Sequence, residues 1–182
     1  YDKRHLLWFG ETVPLSETFP WLRRVFARGT GLAAGHESVP FEAGPVRATV
    51  LNCYEDTLPA AGREAMSVRP NLLVNVTNDA WFAGSAEGEL HLRLSALRAI
   101  ETRRDLVRAV NRGPTSWIDA AGVLRARYDG PLAAAVPVEP ALLDAPLTLY
   151  VRFGDLPLLA LAVAAVGGPL LRSRRAARPP SS

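Results

Sequence analysis

The sequence predicts an α/β domain followed by a C-terminal transmembrane helix. Three observations carry that expectation. Residues 46–53 and 71–79 read as strands, the first by alternation and the second by its apolar run Leu72, Leu73, Val74 and Val76. Residues 87–105 repeat Leu90, Leu94, Leu97 and Ile100 at helical spacing. Residues 156–171 carry no charge and abut the basic run Arg172, Arg174, Arg175 and Arg178.

In chain order, residues 1–11 look extended and end in a Phe9-Gly10-Glu11 turn. A short helix is expected between Pro20 and Gly29, with Trp21, Leu22 and Val25 inward. Residues 29–45 are rich in Gly, Ala and Pro and read as loop. After the helix at 87–105 come short strands at 106–111, 115–120, 123–128 and 132–138. Asn111-Arg112-Gly113-Pro114 and Ala120-Ala121-Gly122 separate the first three. Residues 1–138 then form the domain, 139–152 a linker, 153–171 the span and 172–182 a basic cytoplasmic tail. Sixteen apolar residues reach ~24 Å at ~1.5 Å each, short of a ~30 Å hydrocarbon core, so Phe153 and Gly154 would extend the span. The competing reading of the apolar run is a buried core helix.

The bulk numbers narrow the classes. The chain has 182 residues, 48% of them hydrophobic, enough for one real core. The four C-terminal arginines exceed the whole net charge of +3, so the basicity belongs to a tail and no nucleic-acid partner is expected. One cysteine excludes an internal disulfide and a multi-cysteine zinc site. No signal peptide is visible, and a start at Tyr1-Asp2-Lys3 reads like the interior of a longer protein.

The single thiol, Cys53, ends a strand and precedes Tyr54, Glu55 and Asp56. A lone cysteine there is ordinarily a small buried hydrophobe. A catalytic thiol needs a base, and a positive group where negative charge develops. The three histidines, His5, His36 and His91, form no local cysteine-protease signature.

The opening segment Tyr1-Asp2-Lys3-Arg4-His5-Leu6-Leu7-Trp8-Phe9-Gly10-Glu11, then Cys53-Tyr54-Glu55, then Thr77-Asn78-Asp79-Ala80-Trp81-Phe82, then a helix carrying His91, come in this order. The ordered set resembles the nitrilase superfamily, and within it the apolipoprotein N-acyltransferases of bacterial membranes, from residue 1 to about 138. The resemblance implies an N-terminally incomplete αββα sandwich. It implies Cys53 as nucleophile, Lys3 as stabiliser of the tetrahedral oxyanion, and the Tyr54 amide as a second oxyanion donor. Glu11 and Glu55 would orient Lys3 or hold the thiol's surroundings, though Glu55 also reads as a cap of the next segment. Trp81, Phe82 and His91 would contact substrate, the two aromatics at an acyl-chain mouth or, alternatively, in the core. The family's base glutamate lies upstream of the lysine, where only Tyr1 and Asp2 stand here. The chain alone is therefore expected to lack acyltransferase activity. Trp8, Ala83, Leu90 and Asn52 depart from the family's usual residues and bear on the substrate pocket.

The function so implied is transfer of a fatty acyl group from a phospholipid to the amino terminus of a diacylglyceryl-cysteine apolipoprotein, through a Cys53 thioester. It would occur at the bacterial inner membrane with the domain on the periplasmic side. No cofactor or metal is implied, and no glycine-rich phosphate loop is present. Two alternatives stay open: a soluble carbon–nitrogen hydrolase, and a non-catalytic membrane-anchored remnant.

Overall fold

Three parallel strands form the centre of one six-stranded mixed sheet, in the order β1 to β6. The structure, a computed structural model, describes residues 1–26, 32–82 and 84–165. The strands are β1 (Pro40–Ala43), β2 (Val46–Asn52), β3 (Leu72–Asn78), β4 (Leu106–Asn111), β5 (Thr115–Ile118) and β6 (Leu124–Tyr128). β2, β3 and β4 run parallel, and the outer pairings are antiparallel. Parallel neighbours need crossovers, and these are helices α2 (Pro59–Ala65) and α3 (Glu87–Thr102). Two more short helices flank them, α1 (Trp21–Phe26) and α4 (Leu149–Phe153).

Register explains which side each strand residue serves. Thr49, Leu73, Leu106 and Ile118 form one row across the sheet, and Leu51 and Asn75 begin another that continues through Arg108 and Ser116. All eight are buried beneath the helices. Leu51, Leu73, Leu106 and Ile118 meet Ala61, Ala65 and Met66 below and Leu92 and Ala99 of α3. The helices approach closely: a Cβ on Gly62 would lie 2.7 Å from Arg98 Cδ. The intervening row, Val50, Val74, Val107 and Trp117, faces the other way and is only half-buried. The described residues thus supply one sheet and one helical layer of the expected four.

Several expectations are corrected. Residues 132–138 form no strand. Three consecutive alanines favour one weakly, Pro137 lacks a ladder donor, and 131–135 are exposed. Residues 139–148 are a strap fastened across the beginnings of the parallel strands, where a free linker was expected. Leu143 N–H donates to the Asn71 carbonyl (3.1 Å), Ala141 N–H to Asp105 (2.9 Å), and Arg104 to the Ala145 carbonyl (2.6 Å). Trp21 and Val25 of α1 are exposed rather than inward, and only Leu22 is half-buried.

The largest correction concerns α3. Leu90, Leu97 and Ile100 face solvent, while the buried face carries His91, Leu92, Ser95, Arg98, Ala99 and Thr102. Arg98 donates to the Thr57 carbonyl and Glu101, Thr102 to the Arg98 carbonyl, and His91 and Ser95 have partners described below, so the inward stripe is not the leucine stripe.

Phe153 ends α4 instead of extending the apolar run, because Gly154 takes a left-handed turn (φ 56°). Residues 156–165 are helical and exposed throughout, with Leu156, Leu158, Leu159, Leu161 and Val163 uncovered. Among the described residues no helix is long and apolar enough to cross a membrane. Residues 166–171 of the expected span, and the basic tail 172–182, lie outside the described residues.

Candidate active site

The parallel strands β2 and β3 end side by side, Asn52 pairing with Val76. The chain leaves each through a 3-10 turn, Cys53–Thr57 and Asp79–Phe82. The C-terminal ends of parallel strands are where open α/β sheets place their sites. Cys53 opens the first turn in a left-handed conformation, φ 53°. That is uncommon for a residue with a side chain and is sustained only by its surroundings. Asn75 supplies part of the support, donating from Nδ2 to the carbonyls of Leu51 (2.9 Å) and Cys53 (3.2 Å).

Glu55 fastens the opening segment to this turn. Its buried carboxylate accepts from the amides of Arg4 (2.7 Å) and His5 (2.9 Å), the hydroxyl of Tyr1 (2.7 Å) and the amide of Asn52 (2.7 Å). Burial, and then the Glu55 carboxylate, push the Tyr1 hydroxyl above its ordinary pKa range, so it stays a donor. Lys3, between two of these anchors, has a 9% exposed side chain. Its Nζ reaches both oxygens of Glu11, at 2.9 and 2.7 Å. Glu11 is itself held by the Leu7 amide (2.8 Å). Gly35 N–H donates to the Lys3 carbonyl (2.8 Å), and a Cβ on Gly35 would collide with the Asp2 carbonyl oxygen. Arg4 and His5 both bond Glu64 at the end of α2, each at 2.9 Å.

Lys3, Glu11, Cys53, Tyr54 and Glu55 therefore gather at one end of the sheet. Beside them lies an open cleft of about 570 Å³ whose walls include Arg4, His5, Trp8, Tyr54 and Leu58. A second, of about 600 Å³, has Glu11 and the loop around it as walls. Trp81 and Phe82 sit on the neighbouring turn and are exposed, Trp81 by 82%. Both lie outside the core that the described residues form.

His91 is placed differently from expectation. It is buried under both turns, too enclosed to touch a substrate. Its Nε2 bonds Asp56 Oδ1 (2.6 Å) and its Nδ1 bonds Asp79 Oδ1 (3.2 Å). Asp56 Oδ2 also accepts from Ser95 Oγ (2.6 Å) and Arg108 Nε (3.2 Å), and Asp79 Oδ1 from Thr77 (2.8 Å). Burial works against a charged imidazole, but the bonds to Asp56 and Asp79 win and raise its pKa to about 10. Asp79 is held below the usual carboxylate range, because its bonds to His91 and Thr77 outweigh the effect of burial. Burial and the Asp79 charge push Glu87 upward.

Asp79, Glu87 and His91 offer ligand atoms within 4.8 Å of one another. A metal there would have to displace the proton that His91 Nδ1 shares with Asp79 Oδ1.

The sequence motifs give no role to Asp56, next to Cys53-Tyr54-Glu55, or to Asp79, inside the Thr77-to-Phe82 segment, and they do not include Ser95 or Arg108. One signal for Arg108 exists: a charge in the middle of the apolar strand Leu106–Asn111 needs a buried partner. Ser95 had a weaker one, standing four residues after His91 on the same helix face.

No family model matches the chain. Individual relatives do. The chain is 34% identical to an apolipoprotein N-acyltransferase of Rhodopirellula baltica, over 86% of this chain and 29% of that protein. It is 37% identical to the apolipoprotein N-acyltransferase of Bdellovibrio bacteriovorus, over 96% of this chain and 34% of that protein. It thus spans about a third of the length of the curated relatives it matches. Among solved structures, the NitN amidase from Nesterenkonia sp. AN1 superposes with a TM-score of 0.53 at 18% identity, covering 88% of this chain and 56% of that one. At that identity the likeness establishes the fold, a mixed α/β sheet of the nitrilase type.

Proposed function

Because this chain belongs to the apolipoprotein N-acyltransferase family, we propose that it supplies the nucleophile and the oxyanion-stabilising lysine of an N-acyltransferase. The single observation that carries this reading is Glu55, which fastens the Lys3 segment to the Cys53 turn.

In the proposed reaction the Cys53 thiolate attacks an ester carbonyl of a phospholipid. The ammonium of Lys3, steered by Glu11, and the amide of Tyr54 stabilise the oxyanion. Tyr54 is the second residue of its turn, where an amide has no partner within the turn. The tetrahedral adduct collapses, the lysophospholipid oxygen leaves with a proton, and the acyl group stays on Cys53 as a thioester. The α-amine of a diacylglyceryl-cysteine apolipoprotein then attacks the thioester, losing a proton and returning the thiolate. Trp81 and Phe82 offer an apolar mouth for the acyl chain.

Neither Glu11, engaged with Lys3, nor Glu55, with four donors, is free to be the base. We therefore expect this chain alone not to turn over. The uncovered apolar helix at 156–165 and the arginines that follow in sequence support attachment to the inner membrane, with the arginines cytoplasmic and the domain periplasmic.

The test uses the purified chain in detergent with p-nitrophenyl palmitate, an activated acyl donor. One hydroxylamine-labile acyl adduct should form on Cys53, be absent from Cys53→Ala, and form more slowly in Lys3→Met. An adduct rate indifferent to Lys3, or no adduct, overturns the reading. Multiple turnover with phospholipid and a diacylglyceryl peptide would overturn the expectation about the base.

A further inference from the structure

His91 is the one functional candidate that the reaction above leaves without a task. It rises from the second turn of α3 into the space between the two turns that leave β2 and β3. One ring nitrogen is held by Asp56, three residues after Cys53, and the other by Asp79, two residues before Trp81. Both carboxylates are buried, by 0% and 3% exposure, and the ring is 4% exposed. Each turn is thus fixed to the same imidazole by a buried contact, and neither can shift without moving the ring or breaking that contact.

We propose that His91 is a positioning residue that ties the aromatic turn Asp79–Phe82 to the nucleophile turn Cys53–Thr57, so that the apolar mouth and the thiol move as one body. The chemical names of the two turns rest on the acyl-transfer reading; the bridge does not. A ring bonded at both nitrogens holds its two partners at a fixed separation, so one rigid side chain sets both carboxylates. The charges around the ring fit this use. Asp56 and Asp79 face it from the two turns, Arg108 from β4 and Glu87 from its own helix, with Glu87 Oε1 at 3.6 Å from Nδ1. Ser95 Oγ and Arg108 Nε donate to the other oxygen of Asp56, which fixes how that carboxylate faces the ring.

The halves of the bridge separate experimentally. His91→Gln leaves an amide near the Nε2 position and keeps the Asp56 contact, and His91→Asn leaves one near Nδ1 and keeps the Asp79 contact. Amide hydrogen exchange on the whole chain is followed across 53–57 and 79–82. Coupling predicts that either variant raises exchange in both turns, on the order of tenfold, the effect expected from losing one charge-assisted contact. Exchange that rises only in the turn whose contact was removed overturns the proposal. Asp79→Asn provides the same test from outside the helix, and should loosen 53–57 although it touches no residue there.

The consequence for the site is read by alkylating Cys53 with iodoacetamide and with its N-dodecyl analogue. The preference for the long-chain reagent should fall severalfold in His91→Gln and His91→Asn, while the iodoacetamide rate stays within about twofold. A preference that survives both variants overturns the coupling. A thiol that reacts with neither reagent, or shows no preference in the unaltered chain, sinks the acyl-transfer reading alone, and the exchange data still decide the bridge.

Discussion

Replacing Glu55 by Gln probes how the lysine segment is held to the nucleophile. The carboxylate is fully buried and accepts four hydrogen bonds, three of them from residues 1–5. Glutamine keeps the volume but has a single accepting oxygen. With that oxygen toward Arg4 and His5, the amide NH₂ meets the Asn52 N–H, donor against donor. The Tyr1 hydroxyl can rotate and accept. A buried donor left unpaired costs about 1–3 kcal/mol, and two bonds fall from about 1.5–3 to about 0.5–1.5 kcal/mol each as the charge is lost. The expected destabilisation is about 3–6 kcal/mol, a large share of the ~5–15 kcal/mol that holds a domain. Urea unfolding should show a lower midpoint at unchanged slope. Because the same bonds hold the lysine segment, reductive methylation of Lys3 should accelerate severalfold in native conditions. A loss under about 1 kcal/mol, with unaltered Lys3 modification, would refute the account of Glu55 as the fastener.

Three further outcomes are expected. His91 binds its proton more tightly folded than unfolded, with a pKa of about 10 against the ordinary 6.5. Its contribution is therefore complete below pH 6.5 and disappears as the pH rises through about 10, at no more than ~1.4 kcal/mol per pH unit. Urea titrations across that window should show the decline, and His91→Gln should flatten it. Cys53→Gly should be at least as stable as Cys53→Ala, by up to about 1 kcal/mol, because glycine adopts the left-handed backbone freely; a less stable glycine variant in thermal melts would contradict the strain. Arg104 donates to the carbonyls of Pro70, Arg103 and Ala145, so Arg104→Lys should speed limited proteolysis within 131–148 while leaving cleavage elsewhere unchanged.

Strand β2 is legible by its alternation, β3 by the apolar run that a parallel centre demands, and the helix α3 by its long repeat. The face of α3 was not legible. Its leucines and its polar residues share one period, and only partners elsewhere in the chain, Asp56, Thr57 and Asp79, make the polar stripe the inward one. β1 and α2 escaped notice for a related reason. Pro40–Ala43 is a short exposed edge strand, and Pro59–Ala65 is a single Ala-rich helix stabilised by packing on Leu51 and Leu73 rather than by its own pattern. At the site, the motif order gave Lys3, Glu11, Cys53, Tyr54 and Glu55 as a set, and the fold brings them to one strand end. His91 shows the limit of motif reasoning: a residue can sit next to functional segments in sequence order and still serve them from beneath. The strap at 139–148 has the sequence of a linker, because prolines and short polar residues look alike whether or not their carbonyls are taken by an arginine.

That strap has a mechanical implication. It crosses the beginnings of the parallel strands, at Asn71 and Asp105, whereas Cys53 follows the end of a seven-residue strand, ~23 Å away at ~3.3 Å per residue. A pull transmitted through the apolar helix at 156–165 reaches α4 and the Arg104 and Asp105 ties first. Those ties, with the bonds that join Val151 to Arg63 of α2 and Thr148 to Glu101 of α3, take up the load at the end of the sheet opposite the thiol.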